Sequence, residues 1–312
     1  MTLTPAAKSD LLFILVALLA AISWMFSREA VLAMPPLLFM ALRFLLAGGV
    51  LALIGYRQLL QLTREQFWRS LRVGAVFGVG MSFWVTGLHQ TSHVGEGAFI
   101  ISLGVVFVPV IARLAFRESQ PLATWTALPV AIAGLGLLSL NDGFNPEPGQ
   151  IYFVTAAVIL AFYFILNTRA ANANPAGRVS HREKVPVYAL TTLALLTVGV
   201  LTTVFSLILE PWAPTFGDFG GNLVLWIVLS AIVGTAGRFF VQTWAQSLST
   251  QSHGVVILSM EPALVALFAA GWFGETMSLR QFAGCGLIFT ALLIARWNVL
   301  RALLKSWFRR TA

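Results

Sequence analysis

Residues 11–26 read LLFILVALLAAISWMF, sixteen positions without a single charge, and residues 35–56 repeat the pattern as PPLLFMALRFLLAGGVLALIGY with one arginine. A hydrocarbon core of about 30 Å takes roughly 20 apolar residues to cross as a helix. Backbone amides in lipid have no water partner, so they must be satisfied within helices or a closed barrel. The runs here are long and continuous, unlike the ~10-residue alternating segments of a barrel. Working outward, comparable runs recur to the end of the chain, and they place helices at 10–32, 37–56, 71–90, 94–115, 123–140, 150–170, 185–209, 222–245, 253–272 and 280–298. Lys8 ahead of the first run gives it the look of a signal peptide, but with nine runs behind it we read it as a retained first span. The expectation is an all-α polytopic membrane protein of ten transmembrane helices.

Composition agrees. Of the 312 residues 58% are hydrophobic and 10% charged, and the mean hydropathy is +0.84. Soluble proteins carry about 25% charged residues. Lipid must therefore be the solvent for much of the surface. A net charge of +8 would suit nucleic acid, but the cations sit in short loops and the tail, as topology determinants do. With the N-terminus inside, one side collects Lys8, Arg57, Arg64, Arg69, Arg72, Arg113, Arg117, Arg169, Arg178, Arg182, Lys184, Arg296, Arg301, Lys305, Arg309 and Arg310, which is 16 of the 20. The other side holds Arg28 and Arg280, with Asp142, Glu147, Glu210 and Asp218. The positive-inside rule then puts both termini in the cytoplasm of a bacterial inner-membrane protein. The single cysteine, Cys285, lies in an apolar run, so no disulfide framework is expected.

The chain matches itself. At an offset of 157, residues 89–138 lie on 246–295 without a gap, pairing Ser92, Gly97, Ile100, Ser102, Ala112, Phe116, Glu118 and Leu122 with identical residues. At an offset of 140, Leu12–Ala30 lies on Tyr152–Ala170. Residues 1–145 and 146–312 read as two five-helix repeats, the second with a basic cytoplasmic tail. An odd number of helices per repeat makes the second copy enter the membrane from the opposite side. Such inverted repeats belong to secondary transporters, which rock one half against the other around a midplane site.

These features resemble the drug/metabolite transporter superfamily, EamA-type branch. The residues that carry the resemblance are Arg43-Phe44 in the second span, FIISLGVVFVP at Phe99–Pro109 and SMEPALVALFAAGWFGE at Ser259–Glu275. The likeness runs over nearly the whole chain and implies export of metabolites, amino acids and aromatic amino acids among them. It departs at Val105, where the second repeat has Pro262; the first repeat's proline comes one turn later, at Pro109, so the fourth span should kink at its own depth.

Intramembrane charges cost about 2.5–3.5 kcal/mol each at a helix centre, so they are candidate functional groups. Arg43 lies about 10 Å into the second span and Glu261 about 13 Å into the ninth; Arg238 is in the inner third of the eighth. Arg43 and Glu261 either pair with each other across the halves or contact substrate, and Arg238 either joins them or snorkels to the headgroups. Glu261 is also a candidate proton carrier. Ser23, Trp24, Trp84, His89, Tyr163, Asn167, Gln242, Trp244 and Gln246 fall on the first, third, sixth and eighth spans, which in the similar family line the central cavity. Aromatic walls suit apolar, aromatic or cationic groups, although His89 also suits an interfacial belt. The glycines Gly48-Gly49, Gly74, Gly78, Gly80, Gly134 and Gly136 read as helix-packing faces. Gly74–Gly80 lacks the following Lys-Ser/Thr of a phosphate loop, and His89 with His93 lacks the glutamate of a zinc-protease helix. Gly80-Met81-Ser82 has no glycine two residues on, so it is no nucleophile elbow. No catalysis, cofactor or metal is expected. The partners expected are a small-molecule substrate and the lipid bilayer, with no nucleic acid, in a monomer or homodimer. The expected function is alternating-access export of amino acids or related compounds. The alternatives are a cationic-drug exporter, an exchanger of phosphorylated or nucleotide-linked metabolites and, in another class, an intramembrane enzyme or receptor.

Overall fold

The structure, a computed structural model, describes residues 5–117, 122–139, 147–171, 184–212, 221–242, 258, 260–295 and 297. Among them there is no strand. The helices are α1 (Pro5–Ala33), α2 (Pro36–Leu60), α3 (Arg64–Gln90), α4 (Val94–Ser102), α5 (Gly104–Phe116), α6 (Leu122–Ser139), α7 (Pro148–Ala171), α8 (Val187–Leu209), α9 (Gly221–Ala231), α10 (Glu261–Phe273) and α11 (Leu279–Ala295). Helix α9 runs on through a π-helical turn, Ile232–Gly237, to Gln242. Six helices are long and apolar enough to cross a membrane, and the bent pair α4–α5 makes a seventh. Trp125–Leu137, Glu261–Phe273 and Leu279–Ile294 are shorter apolar helices. The protein is a multi-pass membrane protein.

Local chemistry sets the ends. Thr63 and Gln66 form a reciprocal capping box that starts α3 seven residues before the expected span. Pro36 opens α2, where its missing N–H costs nothing. The next two amides, of Leu37 and Leu38, donate to the Glu210 carboxylate at 2.7 and 2.9 Å. In the same way the Val94 and Gly95 amides at the start of α4 donate to Glu275 at 2.8 and 3.2 Å. A carboxylate there meets the positive end of the helix dipole. The expected fourth span is broken after Ser102, and its axis turns by 41° between Val94–Val108 and Val110–Phe116, at the proline. In the expected ninth span Glu261 opens α10, with Pro262 in the first turn, where a proline is tolerated; the turn at Met260 follows a helical Leu258 and stands 157 residues after the break at Leu103.

Helix α2 packs along α8, α3 along α7 and α8, α6 along α11, α4 against α10, and α1 against α9 and α10. Small residues bring them close. A Cβ on Gly48 would stand 2.8 Å from the Leu196 side chain, and one on Gly199 would stand 2.7 Å from Leu45, so α2 and α8 each insert a leucine over the other's glycine. Gly74 against Thr197, Gly80 against Leu160 and Gly134 against Ile288 make similar approaches, whereas Gly49 and Gly136 face open space. Without a hydrophobic drive between helices in lipid, such close packing carries association. Leu53, Leu114, Ile208 and Leu279 point outward, a surface that only lipid suits.

Candidate functional site

Where α1, α2, α3, α7, α9 and α10 converge, the structure gathers most of the expected site. Arg43 is 5% exposed. Its Nε donates to Thr235 Oγ1 at 2.7 Å, Nη1 to Ser27 Oγ at 2.7 Å, and Nη2 to Ser23 Oγ at 2.9 Å and the Gly234 carbonyl at 3.5 Å. The π-turn explains the last partner, since a five-residue register releases carbonyls from the regular ladder. Thr235 Oγ1 also donates to Ser230 O at 3.0 Å, stapling the turn from inside. Arg43 is therefore a clamp joining α1, α2 and α9 through hydroxyls, in a cage that holds no carboxylate among the described residues. The expected alternative of an Arg43–Glu261 ion pair is not what forms.

Glu261 pairs instead with Arg238, Nη2 to Oε2 at 3.3 Å, and accepts the Trp24 indole N–H at 3.4 Å. Arg238 and Glu261 are 26% and 21% exposed, so this pair is reachable where Arg43 is not. The Arg238 Nε is buried and has no hydrogen-bond partner among the described residues, a donor left over beside a half-exposed ion pair. Snorkelling does not describe Arg238, because its guanidinium turns onto Glu261.

Aromatic rings wall this centre. Trp24 meets Trp84 edge-on at 4.9 Å and Phe153 at 5.9 Å. Arg43 stands 5.9 Å from the Trp84 ring and 5.7 Å from Phe44. Phe44 meets Phe77, which stacks on Tyr163 at 4.2 Å and meets Phe239 edge-on at 6.5 Å. Such faces attract cations and flat apolar groups.

Of the residues read from the sequence, Ser23, Trp24, Arg43, Trp84, Tyr163, Arg238 and Glu261 come together. Asn167 and Gln242 are half-buried on α7 and α9 and carry no hydrogen bond to this cluster among the described residues. Trp244 and Gln246 lie outside the described residues. His89 sits at the end of α3, bonded to Val31 O at 2.8 Å, and Arg28 donates to the carbonyls of Leu88 and His89, so both close the C-terminal end of α1 on α3. Sequence reasoning missed Ser27, Thr235, Glu96, Gln150 and Gln281. A serine one turn after Ser23 on the same helix face was a readable signal for the first; the others depend on which helices meet.

The model of the EamA-like transporter family matches residues 7–140 and again 147–297. An uncharacterized transporter of Archaeoglobus fulgidus is 24% identical over 291 residues, covering 93% of this chain and 86% of its own. The uncharacterized transporter YoaV of Bacillus subtilis is 22% identical over 281 residues, 89% of this chain and 91% of its own. A crystal structure aligns with a TM-score of 0.62 at 21% identity, covering 94% of this chain and 98% of its own, a likeness of fold. With a family model matched on both halves of the chain, this protein belongs to the EamA-like transporter family.

Proposed function

We propose that the protein is a secondary exporter of small metabolites, amino acids or close relatives, working by alternating access between two inverted five-helix halves. The observation that carries the substrate class is the reachable Arg238–Glu261 pair beside Trp24, with one Arg238 donor unused. An amino acid is a zwitterion. Its carboxylate can take Arg238 while its ammonium takes Glu261, so the internal pair is exchanged for two intermolecular pairs and no net charge is added to the interior. Leaving either charge unpaired would cost several kcal/mol, and the exchange avoids that. Trp24 and Trp84 then stand against the substrate side chain.

The inverted architecture is supported by the packing pattern. Counterparts under that reading, α2 with α8, α4 with α10 and α6 with α11, pack on one another, as they would around a two-fold axis in the membrane plane. Six long apolar helices, one bent pair and three shorter apolar helices are in keeping with the ten spans of this reading. The cation distribution then puts both termini in the cytoplasm of a bacterial inner membrane.

One observation favours a second reading. Arg43 lies close enough to Arg238 to feel its charge, while Glu261 is paired with Arg238 and Arg43 with hydroxyls, and this excess of positive charge suits a phosphorylated or nucleotide-linked metabolite. The test is counterflow of labelled solutes in liposomes holding the wild type, Glu261→Gln or Arg238→Gln. For amino-acid export both variants lose at least about tenfold in flux, the equivalent of one unpaired interior charge interaction of about 1.4 kcal/mol. Loss in Arg238→Gln alone, with phosphorylated solutes moving, supports the second reading. Absence of any solute flux under an applied gradient refutes transport itself.

A further inference from the structure

A second carboxyl lies inside the protein, away from the Arg238–Glu261 centre. Glu96, in the first turn of α4, is 4% exposed. Its partners are two carboxamides: Gln281 Nε2 donates to Oε2 at 3.2 Å, and Gln150 Nε2 donates to Oε1. Both amides are themselves buried, Gln150 at the start of α7 and Gln281 at the start of α11. Gly97 lets α4 approach α7, since a Cβ there would run into the Phe153 ring.

The neutral partners set Glu96 apart from the other carboxylates of the interior. Glu261 has a guanidinium partner, and Glu210 and Glu275 each accept from a pair of helix amides. Gln281 is fixed as a donor, because its Oε1 accepts the Ser278 amide at 2.8 Å in a capping box. Gln150 donates from the other side, so both partners are neutral and no fixed positive charge opposes a proton at Glu96, as an arginine or lysine partner would.

Among the described residues the titratable groups near it are Glu147, Glu275, Cys285 and, at the N-cap of its own helix, His93, whose Nδ1 is buried without a hydrogen-bond partner. Glu147, ahead of α7, and Glu275, after α10, act on it electrostatically, and Cys285 of α11 feels it in turn. Glu147 is engaged with Ser92, Oγ to Oε1 at 2.6 Å, and Glu275 caps α4. Arg280, next to Gln281, is exposed; His89 of α3 is bonded to Val31; and α10's own acid, Glu261, lies at the far end of that helix.

We propose that Glu96 is a proton-binding site, and that through it the proton is the driving ion of transport; this rests on the transporter reading above. The step is a simple one. A proton from water adds to a Glu96 carboxylate oxygen to make an O–H bond, leaves by the reverse path, and no electrons change hands. Ionised, Glu96 binds α7 and α11 by charge-assisted bonds, which are roughly twice as strong as neutral ones. Protonation therefore loosens the junction of α4 with α7 and α11.

Infrared difference spectra recorded on the full chain in liposomes, with pH as the perturbation, read the proton directly and need no substrate. The expected result is a carboxylic-acid carbonyl band that grows on acidification, disappears in Glu96→Gln and survives in Glu147→Gln and Glu275→Gln. Identical spectra for Glu96→Gln and wild type overturn the proposal. Should Glu96→Gln fail to fold, Glu96→Asp replaces it, and an unmoved band with an unmoved midpoint overturns the proposal equally. Solute flux in liposomes without a Glu96 band refutes this inference alone; a Glu96 band without flux under any gradient refutes the transporter reading.

Discussion

Thr235→Val tests whether the hydroxyl cage around Arg43 is what holds the π-turn of α9 against α1 and α2. The substitution keeps the volume and removes one oxygen that serves two bonds, accepting from Arg43 Nε at 2.7 Å and donating to Ser230 O at 3.0 Å. Thr235 has no exposed surface, so water cannot replace that oxygen without displacing a helix. A hydrogen bond from a charged group is worth about 1.5–3 kcal/mol and a neutral one about 0.5–1.5 kcal/mol. The expected loss is about 2–4 kcal/mol. Thr235→Ser, which retains the hydroxyl, should recover most of it. A double-mutant cycle isolates the clamp: in an Arg43→Gln background the charged donor is gone, so Thr235→Val should cost only the neutral part. The coupling energy is then about 1.5–3 kcal/mol. Equilibrium unfolding of purified protein in mixed micelles measures all four members of the cycle. A coupling energy of zero within about 0.5 kcal/mol would refute the argument, because independent sites add.

Two further substitutions probe the packing that positions the site. Glu210→Ala removes the acceptor shared by the Leu37 and Leu38 amides and by the Ser206 hydroxyl; it should lower stability in the same unfolding assay by about 1–2 kcal/mol, the usual range for a lost cap, and equal stability would show that water caps α2 instead. Gly199→Val pushes a side chain into Leu45 of α2, where even a Cβ would stand at 2.7 Å, and should destabilise by about 1–3 kcal/mol. Gly136→Ala, which meets nothing within 4 Å, is the control and should leave the unfolding midpoint unchanged or slightly raised.

The helices were legible because lipid imposes one rule on every span, apolar length, and that rule is local. Arg43, Arg238 and Glu261 were legible for the same reason, since a charge in an apolar run stands out without knowledge of its neighbours. Their pairing was not. Arg43 meets Thr235 across 192 residues, and Trp24 meets Glu261 across 237. An expectation built on charge alone joins Arg43 to Glu261, but a buried guanidinium has five N–H groups to satisfy, and three hydroxyls with a released carbonyl do so more completely than one carboxylate. The π-turn was also invisible, because the residues Ile232–Gly237 carry no mark of a five-residue register; the register follows from where Thr235 and Gly234 must stand to reach Arg43.

Glu96 escaped for an instructive reason. An acid in the first turn of a helix ordinarily answers the helix dipole, and at that position it raises no alarm. Here the dipole is already answered by Glu275, which takes the Val94 and Gly95 amides. Glu96 is therefore surplus to the helix end, and its burial against Gln150 and Gln281 needs another cause. The same logic separates Arg238 from Arg43. Arg43 has its donors engaged by the fold, whereas Arg238 keeps a buried Nε without a partner and shares a half-exposed carboxylate. In a membrane interior, where an unpaired polar group costs several kcal/mol, the unpartnered Arg238 Nε is the donor that the proposed substrate anion would complete, and Glu96, met only by neutral amides, is the carboxylate that the proposed proton would join.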